Sequence, residues 1–285
     1  MQAIKGIWTR IQILLFFCFD KQIRKRSSWK EVVSHLFAKK CEAIARDYSS
    51  LEKETEDYKS YKIKGFDNLF LYPAKAPYHN FAQVITEGMI MSHWHHYEIQ
   101  HTQVDKDDVI VDCGSAEGFF AFKYQNIASK IFVIEPLPLF VDSLNKMFLN
   151  NSTVEVLPYA LGSENGKLYM ELNESAIAST CSSSPDGMEN FVEVQAFKID
   201  SLFADKNISV NYLKADLEGF EEEMIKGALE TIRINKPKIA ITTYHDGQDY
   251  RKLIRLITSV APEYKFLVKG IEHRVGNPVM LHMWT

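Results

Sequence analysis

The stretch Val109–Phe120, VIVDCGSAEGFF, decides the fold of this chain. An apolar run ends in Asp112, and Gly114 and Gly118 follow with small or polar residues between them. The apolar run predicts a buried strand, and the glycines predict a tight turn into a helix. Turns of this kind let the backbone pass close to a bound nucleotide or cofactor. The stretch therefore predicts a ligand site, and the rest of the chain has to indicate which ligand it takes.

Downstream of this turn, strand-like and helix-like segments alternate. The strand-like segments read DVIVDCG, KIFVIEP, TVEVLPYAL, NYLKADLEG and KPKIAITTYH, and a pair of strands, YKFLVKG and NPVMLHMWT, follows them. Alternation of strands with helices predicts an α/β fold with a doubly wound, mostly parallel sheet that is covered on both faces. The last pair of strands predicts an antiparallel C-terminal edge.

The first hundred residues follow a different pattern. Apolar residues between Ile4 and Cys18 recur at helical spacing, and the charged segment ARDYSSLEKETEDYKSYKIK, residues 45–64, has the mixed charges of a solvated helix. We therefore predict a helical N-terminal segment, residues 1–100, that precedes an α/β domain, residues 101–285.

The first predicted helix has two interpretations. Its apolar run IQILLFFCF is too short to span a bilayer. The helix either docks on the core of the protein or on a second subunit, or it lies on an anionic membrane. In the second case four cations would face the lipid: Lys21, Arg24, Lys25 and Arg26. Docking is the preferred interpretation, and the oligomeric state is left open.

Composition excludes several classes of protein. A net charge of −4 argues against a nucleic-acid partner, whose binding face would be strongly basic. The four cysteines lie far apart without a CxxC pair: Cys18, Cys41, Cys113 and Cys181. This arrangement argues against a zinc ribbon or a disulfide scaffold and favours a reducing, cytoplasmic location.

The glycine turn does not match either of two phosphate-binding motifs. When a dinucleotide fingerprint is aligned on Gly114, its other glycines fall on Ala116 and Phe119. A P-loop fails because the glycines are too close together and no Gly-Lys pair follows. What remains is D-x-G-x-x-x-G, with Glu135 at the end of the second strand, where a carboxylate can accept ribose hydroxyls. S-adenosylmethionine carries no phosphate, and it fits this motif.

Further downstream, LKADLEGFEEEMIKGA and PKIAITTYH resemble the FkbM family of S-adenosylmethionine-dependent methyltransferases, whose signature is K-x-D-x-E-G-x-E-x-x-x-x-x-G-A. The matching residues are Lys214, Asp216, Glu218, Gly219, Glu221, Gly227 and Ala228. The segments VDCGSAEGFF, IEPLP and YALGSENGKLYM also resemble that family, so the likeness covers about residues 105–285. It implies a class I methyltransferase (Rossmann-like) fold, S-adenosyl-L-methionine as cofactor, and O-methylation of a hydroxyl on a sugar, a glycan or a natural product.

The resemblance also implies the cofactor-binding residues. They are Asp112, Gly114, Ser115, Glu117, Gly118, Phe119, Glu135, Pro136, Tyr159, Ala160 and Asp216. The chain departs from the family at Glu117, where many members have Asn, and at ITTYH, which lacks a frequent Glu and offers Tyr244 and His245 instead. The alternative function is a non-catalytic cofactor- or nucleotide-binding module on the same fold.

Three residues are the candidates for catalysis: His245, Asp216 and Glu218. They follow neighbouring strands of the predicted sheet, and an unperturbed imidazole has a pKa near neutrality, so His245 is the expected general base. Glu221 is expected in the first turn of a helix, near the positive end of its dipole. A divalent metal such as Mg²⁺ on Asp216, His245 and Asp246 is the alternative, and it is not preferred because Mg²⁺ favours oxygen ligands.

Two other segments carry predictions. SHWHHYEIQH, residues 92–101, contains four histidines without the i, i+4 spacing of a helical metal site, so we expect Trp94 or Tyr97 to cover the cofactor instead. NESAIASTCSSSPDGMEN, residues 173–190, is expected to be a polar hairpin tip that could close over the acceptor.

Overall fold

The N-terminal part of the chain combines helices with a small sheet. The computed structural model describes residues 2–172, 181–182, 184–187 and 190–285. The first elements are α1 (Gln2–Phe19), α2 (Lys21–Arg26), α3 (Trp29–Leu36), α4 (Cys41–Tyr48), β1 (Ser49–Glu54), β2 (Tyr58–Ile63), β3 (Leu69–Pro73) and α5 (Tyr78–Met89). The three strands form an antiparallel sheet in the order β1-β2-β3. The predicted N-terminal helices are thus present up to Tyr48.

The helix predicted over the charged segment is wrong beyond Tyr48. Ser49–Ile63 forms the β1–β2 hairpin, because Tyr61 and Ile63 alternate with charged residues and point into the core. Aromatic and β-branched residues at alternate positions favour a strand over a helix. The charges that suggested a helix lie on β1, an exposed edge strand, where they oppose pairing with another chain.

The second part of the chain alternates strands and helices as predicted. Its elements are β4 (Val109–Cys113), α6 (Phe119–Tyr124), β5 (Lys130–Ile134), α7 (Pro138–Met147), β6 (Val154–Leu157), β7 (Ala160–Leu161), β8 (Gly166–Glu171), β9 (Cys181–Ser182), β10 (Phe191–Phe197), α8 (Ile199–Leu202), β11 (Tyr212–Ala215), α9 (Glu221–Lys226), α10 (Leu229–Asn235), β12 (Lys238–Thr242), α11 (Tyr250–Val260), β13 (Lys265–Lys269) and β14 (Met280–Trp284). The loop expected to close over the acceptor lies largely outside the described residues.

Seven of these strands form the main sheet, in the order β13-β14-β12-β11-β4-β5-β6. Neighbours from β12 to β6 pair in parallel, whereas β14 runs antiparallel to both β12 and β13. The strand order reverses at β4, so the first two crossovers run to one side and the later ones to the other. This is the doubly wound, mostly parallel sheet with an antiparallel C-terminal part, and the prediction of fold class is confirmed. A second, four-stranded sheet has the order β7-β10-β8-β9.

Side chains alternate between the two faces of the main sheet. On one face Ile110, Ile131 and Tyr212 pack against α5, α6 and α7 and against the small N-terminal sheet. On the other face Val111 and Leu213 pack against helices α8–α11. The first of these cores includes residues on both sides of residue 100, and the predicted domain boundary stays a prediction.

Helix α1 docks on the protein itself. Ile13 and Phe17 are buried in a third cluster, together with Val32 of α3, Trp94 and Ile271. Docking was the preferred interpretation of this helix, and the face that carries Ile13 and Phe17 is docked in this way. Across the described residues we find no helix with both the length and the apolar character needed to cross a bilayer.

Candidate active site

A cavity of about 290 Å³ lies at the carboxyl ends of four parallel strands, β4, β5, β11 and β12. Ligands of doubly wound sheets bind at this edge, beside the point where the strand order reverses. Its lining includes Asn80, Gln83, Val84, Glu87, His95, Gly114, Ala116, Glu117, Glu135, Pro136, Leu137, Phe140, Met170, Asp216, Leu217, Glu218 and Tyr244. The turns after β4 and β5 form one side of the cavity, and the loops after β11 and β12 form the other.

The glycine turn after β4 is shaped by packing within the protein. Gly114 and Gly118 have φ values of +68° and +76°, which L side chains rarely adopt. A Cβ atom on Gly114 would lie 2.0 Å from the Asp216 carbonyl oxygen, and one on Gly118 would lie 2.3 Å from Leu144 Cδ2. Protein atoms thus account for the lack of a side chain at both positions, and the expected close approach of this turn to a ligand stays a prediction.

Glu135, which follows β5, is held by the backbone of both turns. Its Oε2 accepts a hydrogen bond from the Ala116 amide at 2.8 Å, and its Oε1 accepts one from the Leu137 amide at 2.9 Å. Burial raises the pKa of Glu135 to about 7, against the opposing effect of the two amides. A carboxylate oxygen can accept more than one hydrogen bond, so Glu135 keeps acceptor capacity toward the cavity that it lines.

The other predicted cofactor residues fall into two groups. Gly114, Glu117, Pro136 and Asp216 line the main cavity, while Ser115 and Phe119 line an adjoining hollow of about 80 Å³. Burial, with a smaller effect from the charge of Glu135, raises the pKa of Glu117 to about 7. Two carboxyl groups with raised pKa values thus face the same cavity.

The remaining predicted cofactor residues, Asp112, Gly118, Tyr159 and Ala160, are not among those that line the cavity or the adjoining hollow. Asp112 is fully buried, 3.0 Å from Lys214 Nζ, and it accepts a hydrogen bond from the Ser115 hydroxyl at 2.8 Å. Tyr159 packs edge-on against Phe197, and Ala160 is buried in β7. In this structure Asp112 organises the turn, and its contact with a cofactor stays a prediction, as do those of Gly118, Tyr159 and Ala160.

Asp216, the first residue after β11, is the centre of the polar network in the site. Its Oδ2 accepts a hydrogen bond from the Tyr97 hydroxyl at 2.7 Å, and its Oδ1 accepts one from Thr242 at 3.1 Å. Burial opposes ionisation, but nearby His95, His245 and Lys214 hold the pKa of Asp216 far below its usual range. Of the two aromatic residues expected to cover the cofactor, Tyr97 reaches the site, whereas Trp94 stacks on His35 elsewhere.

His245 lies among three carboxylates. Its Nδ1 is 3.1 Å from Glu221 Oε1, and its Nε2 is 3.2 Å from Glu218 Oε2 and 3.6 Å from Asp216 Oδ1. Burial alone would lower the pKa of His245, but these carboxylates outweigh it and raise the pKa to about 10. The premise of a near-neutral imidazole is therefore wrong for the ligand-free protein, and the catalytic role of His245 stays a prediction.

Glu221 does more than interact with a helix dipole. It is the first residue of α9, it is fully buried, and its Oε1 accepts hydrogen bonds from the Leu217 amide at 2.8 Å and from Thr242 Oγ1 at 3.1 Å. Gln248 donates to its other oxygen. Glu221 thus ties the loops after β11 and β12 together and fixes the ring of His245.

Two residues of the network were missed from the sequence. His95 Nδ1 lies 2.7 Å from Glu87 Oε1, and His95 Nε2 lies 3.4 Å from Asp216 Oδ2. Burial opposes protonation, but Glu87 and Asp216 raise the pKa of His95 to about 9. The run SHWHHYEIQH contained the signal, because His95 is two residues from Tyr97 and reaches the same carboxylate, but Glu87 on α5 had no motif.

Three candidate ligands for a divalent cation converge here. One ligand atom each from Asp216, Glu218 and His245 lies within 4.8 Å of the others. Asp246, which the sequence had placed in this set, is instead paired with Arg274 at 2.9 Å and is exposed. Glu218 has a φ of +52°, unusual for a residue with a side chain, and such strain often occurs at functional sites.

The chain is similar to one known protein family. Residues 112–268 match the family model of the methyltransferase FkbM domain. No curated protein sequence matches the chain. A methyltransferase FkbM from Methylobacillus flagellatus KT is 18% identical with a TM-score of 0.48, and the alignment covers 72% of this chain and 54% of that one.

Two other solved structures are more distant. An rRNA methylase from Streptococcus thermophilus is 9% identical, with a TM-score of 0.40, and the alignment covers 64% of this chain and 89% of that one. M. jannaschii TYW2 in complex with AdoMet is 12% identical, with a TM-score of 0.38 and coverage of 82% and 86%. The family model spans more than half of the sequence, and the chain therefore belongs to the FkbM family of S-adenosylmethionine-dependent methyltransferases.

Proposed function

We propose that this chain binds S-adenosylmethionine in the cavity beside β4 and β11 and transfers its methyl group to a hydroxyl of a sugar, a glycan or a natural product. When bound, the cofactor supplies an activated methyl group on a positively charged sulfonium. Hydroxyl acceptors are what the family resemblance implies. The cytoplasmic location, inferred from the cysteine pattern, is part of the same proposal.

The charge of the cavity is the observation that carries the proposal. The described residues that line it include five acidic side chains, Glu87, Glu117, Glu135, Asp216 and Glu218, against one cationic side chain, His95, and neither lysine nor arginine. A phosphate group would be repelled by these carboxylates, whereas a sulfonium and an amino group are attracted to them. The cavity thus suits S-adenosylmethionine better than NAD or ATP.

The two sides of the cavity have separate tasks in this proposal. Glu135 would hold the ribose hydroxyls, because its carboxylate is fixed by two amides and still has acceptor capacity. Asp216, Glu218 and His245 would orient the acceptor hydroxyl and receive its proton. Proximity and orientation account for much of such catalysis, because the methyl group is already activated.

His245 can act as a base only after it loses its own proton. A positive charge placed in the cavity disfavours a second positive charge nearby and lowers the pKa of the imidazole. We therefore propose that His245 becomes a competent base in the cofactor complex, with Glu218 and Glu221 fixing its ring. A divalent cation held by Asp216, Glu218 and His245 is the alternative way to lower the pKa of the acceptor hydroxyl.

Melting of the purified chain with S-adenosylhomocysteine, NAD or ATP tests the choice of cofactor. At about 100 times its Kd, a ligand stabilises the folded state by roughly 2.7 kcal/mol, and we expect this only with S-adenosylhomocysteine. Stabilisation by NAD or ATP alone would contradict the proposal. Methyl transfer from labelled S-adenosylmethionine is then measured across hydroxylated acceptors and a hydroxyl-free set. Binding without transfer to any acceptor would favour the non-catalytic module.

A further inference from the structure

Helix α1 is apolar on two opposite faces, and within the described part of the chain only one of them is covered. Ile13 and Phe17 face the protein, as described above. The other face carries Ile7, Trp8, Ile11, Leu15 and Phe19, which expose 40–81% of their surface. Residues 7, 11, 15 and 19 are four apart and therefore form a continuous stripe along the helix. A docked helix needs only the first face, so the packing of the residues that the structure describes does not explain the second face.

Helix α3 extends this exposed apolar surface. Trp29, Val33 and Phe37, also four residues apart, expose between 44% and 82% of their surface. Trp29 lies edge-on to Phe17 of α1, with ring centroids 4.7 Å apart, so the two helices are neighbours. Contiguous apolar surface of this extent on a protein generally marks a site of interaction.

Positive charge accompanies the apolar residues. Residues 1–40 contain nine Lys and Arg against two Asp and Glu, although the whole chain has a net charge of −4. Lys21, Arg24 and Lys25 of α2 and Lys30 of α3 are exposed next to Phe19 and Trp29 in sequence. The excess of positive charge is thus confined to the segment that exposes the apolar residues.

This combination selects one kind of partner. A second copy of the chain, related by a two-fold axis, would bring the same cationic surface against itself. A helix with Trp and Phe on an exposed face and Lys and Arg beside it is typical of proteins that lie in the interface of an anionic membrane. We propose that α1, α2 and α3 form a membrane-binding surface, which inserts its aromatic and aliphatic residues among the headgroups while Lys21, Arg24, Lys25 and Lys30 contact anionic lipid.

Co-sedimentation of the full chain with vesicles tests this proposal. We expect binding to phosphatidylcholine vesicles that contain phosphatidylserine, weaker binding to phosphatidylcholine alone, and loss of affinity as salt is raised. Leu15→Glu/Phe19→Glu should abolish binding, and Lys21→Gln/Lys25→Gln should weaken it roughly thirty-fold. Leu149→Glu and Lys106→Gln/Lys265→Gln, at exposed positions elsewhere in the chain, are the matched controls and should bind as the parent does.

Several results would overturn the proposal. Equal sedimentation of the parent and of Leu15→Glu/Phe19→Glu, with unchanged melting temperatures, would remove α1 from the contact. A dimer that forms without vesicles and dissociates in the same variant would identify a second copy as the partner. Binding of soluble glycerophosphoserine as tight as binding of the vesicles would indicate a headgroup pocket rather than a bilayer surface. Each outcome is independent of methyl transfer.

Discussion

Glu135 is the residue on which the cofactor proposal depends most directly. Its carboxylate is positioned by the amides of Ala116 and Leu137, so it is fixed before any ligand binds. We predict that Glu135→Gln weakens binding of S-adenosylmethionine by about 2 kcal/mol, because hydrogen bonds to a charged acceptor are worth roughly 1.5–3 kcal/mol. Calorimetric titration measures this change. Glu155→Gln, on the surface of β6, is the control and should leave the affinity as it is.

The pKa of His245 makes the rate of methyl transfer depend on pH. If neutral His245 accepts the proton, kcat/KM should rise about tenfold per pH unit until the pH approaches the value of about 10 for the free enzyme. The pH profile of kcat should level off lower, because a positive charge in the cavity lowers the pKa of the imidazole. Steady-state rates measured between about pH 6 and pH 9 give both profiles. A flat kcat/KM profile would exclude His245 as the base and leave a carboxylate in that role.

Removal of metal separates the two ways of activating the hydroxyl. We predict that methyl transfer persists after treatment with EDTA and gel filtration, because His245 and its carboxylates can receive the proton without a cation. His245→Ala should then lower kcat about a hundredfold or more, the usual range for a general base. Activity that disappears in EDTA and returns with Mg²⁺ or Mn²⁺ would show instead that Asp216, Glu218 and His245 hold a cation.

The sequence predicted the residues of the site that belong to motifs, and it missed those that come from elsewhere. Asp216 and His245 follow strands that pair in the sheet, so their proximity could be expected from strand order alone. Glu87 lies on α5, far from any motif, and only the packing of that helix over the sheet brings it to His95. The charge of His245 could not be predicted either, because it depends on the distances to three carboxylates of the segment from the end of β11 to the start of α9.

At the scale of elements, the turn after β4 and the loop after β11 fit against each other. Gly114 is in the left-handed region, and the space beside its Cα is taken by the carbonyl group of Asp216. We predict that Gly114→Ala lowers the free energy of unfolding by about 2 kcal/mol or more, since it adds both strain and overlap. Chemical denaturation measures the change.

Gly166→Ala is the matched control for that substitution. Gly166 begins β8, its φ is not positive, and no atom lies within 4 Å of the Cβ that would be added. Its replacement should therefore leave the free energy of unfolding nearly unchanged. A Gly114→Ala variant that is as stable as Gly166→Ala and the parent would mean that the turn after β4 tolerates a side chain beside the Asp216 carbonyl group.

The periodicity of apolar residues predicted the strands well where both faces of a strand are buried, and poorly where one face is exposed to solvent. The central strands β4, β5, β11 and β12 are short, mostly buried and largely apolar, and such segments have few alternatives to a buried strand. The β1–β2 hairpin is different, because β1 is exposed along most of its length and its composition reflects solvent rather than the core. A charged segment of this kind is compatible with a helix until the pairing of β1 with β2, and of β2 with β3, is known.

At the scale of the whole molecule, ionisable groups are buried together at one edge of the sheet. His95 and His245 have pKa values raised to about 9 and about 10, so both remain protonated at neutral pH in the folded protein. In the unfolded chain both return to the ordinary value of about 6.5. These two imidazoles thus bind more protons in the folded state than in the unfolded state at pH values between about 6.5 and 9.

This difference fixes the sign of the pH dependence of stability. A group whose pKa is raised on folding contributes stability below its unfolded pKa and loses it as the pH rises toward its folded pKa. We predict that the free energy of unfolding falls between about pH 6.5 and pH 9, by at most roughly 3 kcal/mol per pH unit for two groups. Denaturation in urea across this range measures the slope. His95→Gln/His245→Gln should flatten it, while His79→Gln, at an exposed position, should leave it unchanged. A slope that is the same in all three proteins would mean that the two imidazoles are neutral in the folded state, and the kinetic profile would then have to arise from another group.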